Sequence, residues 1–242
     1  MKLKMIGTGS MYTKYNSACA LIDDRLIVDM PNGTVKQLLK TDFDLANIKV
    51  ILVTHMHGDH TADIPFFLKN VFNYKKRKEE IIIIGPQGIK KQIQALSDAY
   101  RFEDATEQQN FFNIKYVELL NDTTSILGYE IKSFEVIHGE EHPALGYVIN
   151  HTLGFTGDSS ICSGVEEIFT QASHIVADSS FIVGNNCHMG LDNLEYLNQK
   201  YHKIIIPTHL NDRTREELVL KKYDFIKLLT DFDEITMEKK MN

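Results

Sequence analysis

The chain has 242 residues and a formal net charge of −7, so it is long enough for one large domain or two small ones with a substantial core. The acidic balance excludes a whole-molecule attraction to nucleic acid or to an anionic membrane, although two bound divalent cations could reverse the field within one pocket. The longest aliphatic run, at 81–84, is too short to cross a bilayer, and the first residues lack the apolar core of a secretory signal. We therefore expect a cytoplasmic protein that does not bind membranes.

Short apolar runs alternate with helical patterns along the whole chain. Because the sequence contains no repeat and no low-complexity linker, we expect a single domain over residues 1–242. The patterns predict strands at 3–6, 18–22, 26–29, 50–54, 81–84, 114–118, 129–137, 145–149, 153–156, 175–177 and 204–206. They predict helices at 34–39, 64–71, 88–99, 165–171, 194–200 and 213–229. Two bursts of strands, near the N-terminus and at 129–156, indicate two sheets with helices outside, and functional residues in loops at strand ends.

Neither the cysteine residues nor the basic run at 75–78 predicts a functional site. Cys19, Cys162 and Cys187 are odd in number and have no CxxC spacing, which argues against a disulfide framework and a thiolate metal site. We expect them to be small buried side chains. The run Lys75-Lys76-Arg77-Lys78 could contact phosphates, but a solvated helix end is the favoured interpretation.

Residues of the types that bind metal follow the predicted strand at 50–54. His55, His57, Asp59 and His60 lie within six residues, and imidazole nitrogen and carboxylate oxygen are ligands that zinc prefers. One ion cannot easily take all four from so short a loop. We therefore expect His55 and His57 on one ion and Asp59 and His60 on a second, neighbouring ion.

The segment His55-Met56-His57-Gly58-Asp59-His60 resembles the signature of the metallo-β-lactamase superfamily, and the chain is similar to ribonuclease Z and related small phosphodiesterases. The turns at 6–10 and 85–89 and the segment at 27–34 match the family pattern in the same order. The resemblance implies an α/β fold, the αββα sandwich, in which two mixed β-sheets are flanked by helices. It also implies two divalent metal ions, expected to be zinc with manganese or iron as alternatives, and a homodimer.

The same resemblance directs attention to ligands farther along the chain. Asp158 follows a short strand at a glycine turn and resembles the carboxylate that bridges both ions. His209 follows the apolar run at 204–206 and resembles the last ligand, on the ion also held by Asp59 and His60. For the ligand between these motifs, His138 is favoured because it ends a strand, with His142 as the alternative.

Four residues are candidates for roles in catalysis or orientation. Asp178 and His188 resemble the ribonuclease Z pair in which a histidine assists the leaving group and an acid orients it, although glutamate is usual at the first position. Asp59 is placed to be both ligand and proton acceptor. Asp29 would either orient the histidine loop through hydrogen bonds or cap a turn.

The function implied by the resemblance is hydrolysis of a phosphodiester by a hydroxide shared between the two ions. RNA is one candidate substrate, as in tRNA 3′ processing. Many ribonuclease Z enzymes carry a long basic arm near the third ligand, and the segment 139–157 leaves no room for one here, which favours a small or cyclic phosphodiester. The alternative is hydrolysis of a lactone, thioester or other carboxylic ester. A di-iron redox protein is disfavoured by His57, where such proteins resemble HxExDH, and a metal-free binding module is disfavoured by the full ligand set.

Overall fold

A computed structural model describes residues 1–102, 113–139 and 143–238. Its first sheet has the strand order β13-β1-β2-β3-β4-β5-β6. Strands β1 to β3 pair antiparallel, and β3 to β6 pair parallel. The strands of this sheet are β1 (Lys2–Gly7), β2 (Cys19–Ile22), β3 (Leu26–Val28), β4 (Val50–Leu52), β5 (Ile81–Pro86), β6 (Ile114–Leu119) and β13 (Glu234–Thr236).

The second sheet has the order β12-β11-β10-β9-β8-β7. Strands β7 to β10 pair antiparallel, and β10 to β12 pair parallel. Its strands are β7 (Thr123–Ile126), β8 (Tyr129–Val136), β9 (Ala144–Ile149), β10 (Leu153–Phe155), β11 (His174–Asp178) and β12 (Ile204–Thr208). Because β8 and β10 are both antiparallel to β9, the strands β8, β10, β11 and β12 all run in one direction and end at the same edge.

Helices cover the outer faces of both sheets. The α-helices are α1 (Thr34–Lys40), α2 (Gly58–Thr61), α3 (Ile64–Lys69), α4 (Ile89–Ala99), α5 (Ser163–Gln171), α6 (Leu191–Tyr201) and α7 (Asp212–Lys221), with a 3-10 turn at Leu45–Asn47 and a π-helical turn at Asn70–Tyr74. None of the helices within the described ranges has the length and apolar character needed to cross a bilayer.

Three apolar layers hold these elements together. The central layer joins the facing sides of the two sheets, with Leu52 and Ile84 of the first sheet against Tyr147 and Val176 of the second. A second layer packs α1, α3 and α4 on the first sheet, and a third packs α5, α6 and α7 on the second. The predicted architecture of two mixed sheets flanked by helices is therefore confirmed.

The predicted helix at 213–229 is wrong beyond Lys221. Lys222 adopts a left-handed conformation with φ of 48°, which ends the helix. The chain then runs beside β12, where Ile205 donates to the carbonyl of Phe225 at 2.9 Å and Lys227 donates to the carbonyl of Ile205 at 2.8 Å. These bonds satisfy the edge of β12, which a continued helix would leave unpaired. Strands β7 and β13, both with few buried residues, were not predicted.

The interpretation of the basic run as a solvated helix end is wrong for Arg77. This side chain is buried, and its guanidinium donates to the carbonyls of Ile48 at 2.6 Å and Glu80 at 2.9 Å, whereas Lys76 is exposed. Of the cysteines, Cys19 is buried as expected, but Cys162 and Cys187 are partly exposed; all three are free thiols.

Candidate metal centre

The predicted site residues lie where strands end. The loops after β4, β8, β10 and β12 carry His55, His138, Asp158 and His209, and Asp178 is the last residue of β11. The ends of parallel strands share one edge of a sheet, and the two sheets pack face to face, so these side chains meet although they are far apart in sequence. The loop after β4 continues into the short helix α2, which contributes Asp59 and His60.

One group of candidate ligands contains three imidazoles. Nδ1 of His57 lies 3.0 Å from Nε2 of His55 and 3.2 Å from Nε2 of His138. The ring nitrogens of all three lie within 4.8 Å of one another, which is the spacing of a set that could hold a metal ion. His138 is thus brought beside His55 and His57, whereas His142 lies outside the described residues.

A second group contains Asp59, His60 and His209, again with ligand atoms within 4.8 Å of one another. Nε2 of His209 is 3.4 Å from Oδ2 of Asp59, and Nε2 of His60 is 3.8 Å from the same oxygen. Asp158 lies between the two groups, because its Oδ2 is 3.2 Å from His209, 3.3 Å from His60 and 3.9 Å from His55. Asp158 is therefore within reach of ligand atoms from both groups, and these clusters fit divalent metal binding.

The chemistry of these atoms fits bound cations. Nε2 of His60 is buried and, within the part of the chain that the structure describes, makes no hydrogen bond. A buried imidazole nitrogen without such a partner is costly unless it coordinates an ion. The full set offers nitrogen and carboxylate oxygen, the donors that zinc and related divalent metals accept.

Asp29 orients the loop that carries the candidate ligands through hydrogen bonds. It adopts a left-handed conformation with φ of 58° directly after β3. Its Oδ1 accepts from the backbone N–H of Thr54, and its Oδ2 accepts from the hydroxyl of Thr54 and from Nδ1 of His60, all at 2.8 Å. The bond from Nδ1 directs Nε2 of His60 toward Asp158. Of the two roles considered for Asp29, the structure favours orientation of the histidine loop.

Gly157 allows the approach of Asp158. Its φ is +59°, and an added Cβ would lie 3.0 Å from both the carbonyl oxygen of Leu145 and the Cβ of Thr54. A side chain at this position would therefore be strained and crowded. The absence of a Cβ lets the turn after β10 pack against the start of the histidine loop.

Asp178 and His188 form the predicted pair. Nδ1 of His188 donates to Oδ2 of Asp178 at 2.8 Å, and the carboxylate is fully buried. Burial lowers the pKa of His188, but the hydrogen bond and the charge of Asp178 outweigh burial, so that this pKa is raised above its ordinary value. Ser180, which the sequence analysis did not select, donates from its hydroxyl to Oδ1 of Asp178 at 2.7 Å.

The two ligand groups differ in their electrostatics. Burial, followed by the nearby charge of His60, lowers the pKa of His55 well below its ordinary value. Burial also opposes the charged form of His60, but the carboxylates of Asp158 and Asp29 raise its pKa well above the ordinary value. Burial would raise the pKa of Asp158, yet the imidazoles, His209 foremost, hold it well below its usual range. Mutual attraction therefore favours the charged forms of His60 and Asp158, whereas burial favours the neutral form of His55.

An open cavity of about 560 Å³ adjoins both groups. Candidate ligands and His188 form part of its lining, and Cys187 lies beside them. Two apolar side chains from the loop after β1 complete the wall: Met11 is 51% exposed and Tyr12 is 88% exposed. This loop is held to the ligand region, because Ser10 donates to the carbonyl of Leu210 at 3.0 Å. Sequence patterns give no signal for Met11 and Tyr12, since a single exposed aromatic residue in a loop is common.

The model of the family described as "Anti-Pycsar protein Apyc1" matches residues 1–234. The chain belongs to the Apyc1 family. This Apyc1-family chain is 26% identical over 165 residues to Ribonuclease Z of Methanosarcina acetivorans, a match that covers 62% of the chain and 48% of the relative. It spans about half the length of the ribonuclease Z relatives that it matches.

Solved structures share the fold of the Apyc1-family chain. Human tRNase Z, short form, superposes with a TM-score of 0.77 at 18% identity, covering 98% of this chain and 100% of the human chain. The metallo-beta-lactamase fold protein YhfI from Bacillus subtilis superposes with a TM-score of 0.74 at 15% identity, covering 97% and 98% of the two chains. The predicted metallo-β-lactamase fold and the resemblance to ribonuclease Z are confirmed.

Proposed function

We propose that the protein is a phosphodiesterase that holds two divalent metal ions and cleaves small or cyclic phosphodiesters. The observation that carries this proposal is the position of Asp158 between two groups of candidate ligands, with His188, held by Asp178, in the wall of the same cavity. The matches to ribonuclease Z support a phosphodiester as the bond that is cleaved.

The first ion would be held by His55, His57 and His138, and the second by Asp59, His60 and His209, with Asp158 available to both. Ions at these positions would activate water at neutral pH and stabilise negative charge on the substrate. We propose zinc, because the donors are imidazole nitrogens and carboxylate oxygens.

A cytoplasmic location and a homodimer stay predictions from the sequence. A single domain over residues 1–242 is proposed, because the two sheets share the central apolar layer.

The chain's own residues supply two further parts of the reaction. The raised pKa of His188 favours its protonated form, from which the ring can donate to the departing oxygen. Asp178 holds Nδ1 of this ring, which leaves Nε2 to face the cavity. Asp59 has a carboxylate at the cavity wall, where it can accept the proton of an attacking water.

The size and composition of the cavity favour a small substrate. Its volume of about 560 Å³ lies within the range typical of small-molecule sites. Met11 and Tyr12 offer an apolar surface beside the ligands, suited to a planar group attached to the phosphate. Among the described residues between His138 and Asp158, the chain forms β9, β10 and turns, and the whole segment is too short for a long arm that could grip a large RNA.

The deciding experiment measures hydrolysis of three substrates by the zinc-loaded protein: bis(p-nitrophenyl) phosphate, a precursor tRNA and a p-nitrophenyl carboxylic ester. We expect turnover of the phosphodiester, with Asp59→Asn inactive and Asp63→Asn active. Asp63 is a matched control because it is also buried, but it accepts from the backbone N–H of Val35 instead of facing the cavity. Cleavage of the carboxylic ester alone would refute the proposal, and efficient tRNA cleavage would refute the small-substrate part.

A further inference from the structure

The hydroxyl of Ser180 contacts three side chains beside the candidate metal centre. The residue is 3% exposed and comes two positions after the end of β11. Its Oγ is 2.7 Å from Oδ1 of Asp178, 2.8 Å from Nδ1 of His209 and 3.2 Å from Nδ1 of His188. One hydroxyl thus touches a candidate metal ligand and both members of the His188–Asp178 pair.

The direction of these hydrogen bonds follows from the number of protons. A serine hydroxyl has one proton to donate, and an ionised carboxylate only accepts. The proton of Ser180 therefore points to Asp178, and the lone pairs of its oxygen face His209. Nδ1 of His209 must then carry a hydrogen and donate it to Ser180. In the neutral ring, this tautomer leaves the lone pair of Nε2 available to a metal ion, and Nε2 is the atom that faces Asp59 and Asp158.

Asp178 holds the hydroxyl of Ser180 in one orientation. Its carboxylate accepts four hydrogen bonds, from the backbone N–H of Ser159, the backbone N–H and hydroxyl of Ser180, and Nδ1 of His188. These bonds fill its acceptor positions and leave it little freedom to rotate. The rings of His188 and His209 also stack, with centroids 5.2 Å apart and planes 12° from parallel. Ser180 and Asp178 together fix the two rings against each other.

We propose that Ser180 is a positioning residue whose hydroxyl sets the tautomer of His209 for metal binding and aligns this ligand with the His188–Asp178 pair. The inference rests on the metal centre of the proposed function, but not on the bond that the enzyme cleaves. Groups that hold a metal-binding histidine through its second nitrogen strengthen metal binding, and their removal costs roughly 10- to 100-fold in affinity.

The neighbouring Ser179 provides a matched control. It is as deeply buried as Ser180, but its hydroxyl donates to the carbonyl of Ala177, two residues earlier, at 2.9 Å. Removal of either hydroxyl deletes one buried oxygen from the same segment. A difference between Ser179→Ala and Ser180→Ala in metal binding therefore reports the contact with His209 and not a general loss of packing.

The test measures zinc affinity by competition with a chelator, together with ¹H–¹⁵N spectra that identify the protonated nitrogen of each histidine. We expect Ser180→Ala to bind one of its two zinc ions roughly 10- to 100-fold less tightly than wild type, and His209 of the metal-free variant, at a pH where its ring is neutral, to lose the Nδ1-protonated signature. Ser179→Ala should match wild type in both measurements. Thermal unfolding in the presence of chelator will verify that each variant is folded.

A second pair of variants separates the hydroxyl from side-chain volume. Threonine and valine have the same shape, but only threonine keeps the hydroxyl, so Ser180→Thr should bind zinc more tightly than Ser180→Val. Equal affinities for these two variants, or wild-type affinity in Ser180→Ala, would overturn the proposal. Because these readouts involve no substrate, a protein that binds two zinc ions but cleaves no phosphodiester would refute the proposed function and leave the role of Ser180 intact.

Discussion

The carboxylate of Asp29 accepts a hydrogen bond from Nδ1 of His60 at 2.8 Å, and it holds Thr54 at the start of the same loop. Asp29→Asn keeps the shape of the side chain but replaces one accepting oxygen with a donor. We expect zinc affinity to fall roughly 10- to 100-fold, measured by chelator competition. Asp24→Asn is the control, because Asp24 forms an ion pair with Lys2 near the surface instead of binding the histidine loop. Unchanged affinity in Asp29→Asn would show that the backbone alone orients His60.

Zinc binding at the Asp59–His60–His209 position should release more protons than zinc binding at the His55–His57–His138 position. The pKa values of His60 and His209 are raised, because nearby carboxylates outweigh the opposing effect of burial. Both rings are thus protonated below their raised pKa values, and a metal ion must displace these protons. Burial lowers the pKa values of His55 and His57, so these rings are already neutral at pH 7.

We therefore expect the affinity of the Asp59–His60–His209 position to increase as the pH rises toward the raised pKa values, and that of the His55–His57–His138 position to change little above pH 7. Calorimetry in buffers of different ionisation enthalpy measures the protons released by each ion. Equal proton release in both binding steps would contradict this assignment.

Loss of the imidazole of His188 should slow the chemical step without loss of metal. General acid catalysis contributes about 10²- to 10⁴-fold to the reaction rate. His188→Asn should therefore lower kcat by up to this factor for substrates with alkyl leaving groups. The effect should be smaller for p-nitrophenolate, which departs without a proton. Because the active form is protonated, kcat of the wild type should fall as the pH rises through the raised pKa of His188. His202→Asn, in an exposed position after α6, should behave as wild type.

Arg77 should contribute to stability more than its exposed neighbours. Its guanidinium satisfies the carbonyls of Ala46, Ile48 and Glu80, which would otherwise lack these partners. Since each unsatisfied buried group costs about 1–3 kcal/mol, we expect Arg77→Ala to lower the free energy of unfolding by roughly 2–4 kcal/mol. Lys76→Ala should change it by less than about 0.5 kcal/mol. Urea titrations of both variants measure the difference, and equal values would refute a structural role for Arg77.

Tyr12 should affect substrate binding more than chemistry. Its exposed ring lies at the wall of the cavity, and stacking of an aromatic ring on a planar group is worth about 1–3 kcal/mol. We expect Tyr12→Ala to raise KM for bis(p-nitrophenyl) phosphate roughly tenfold, with little change in kcat. The effect should be weaker for methyl p-nitrophenyl phosphate, which has the same leaving group but a single ring. Tyr74→Ala is the control, because Tyr74 is 77% exposed and is not part of this cavity. Equal KM changes for both substrates would place the stacked ring on the shared leaving group, and an unchanged KM in Tyr12→Ala would exclude stacking.

The sequence by itself determined the two-sheet architecture and the identity of most candidate ligands. Apolar runs that end in His55, Asp158 and His209 can be read locally, because a strand fixes the residue that follows it at the edge of the sheet. The grouping of Asp59 and His60 apart from His55 and His57 also followed from local geometry. Helix 213–229 was overextended because helical periodicity continues past Lys221, where the chain turns to satisfy the edge of β12.

Only the tertiary structure decided which distant groups meet. It placed His138 beside His57, brought the hydroxyl of Ser180 to His209, buried Arg77 over three carbonyls and set Tyr12 at the wall of the cavity. Such contacts join residues from different strands and loops, and their free energy depends on packing and hydrogen-bond geometry across the whole domain. Local periodicity and residue type do not encode these distances, whereas they do encode which strand ends carry a candidate ligand.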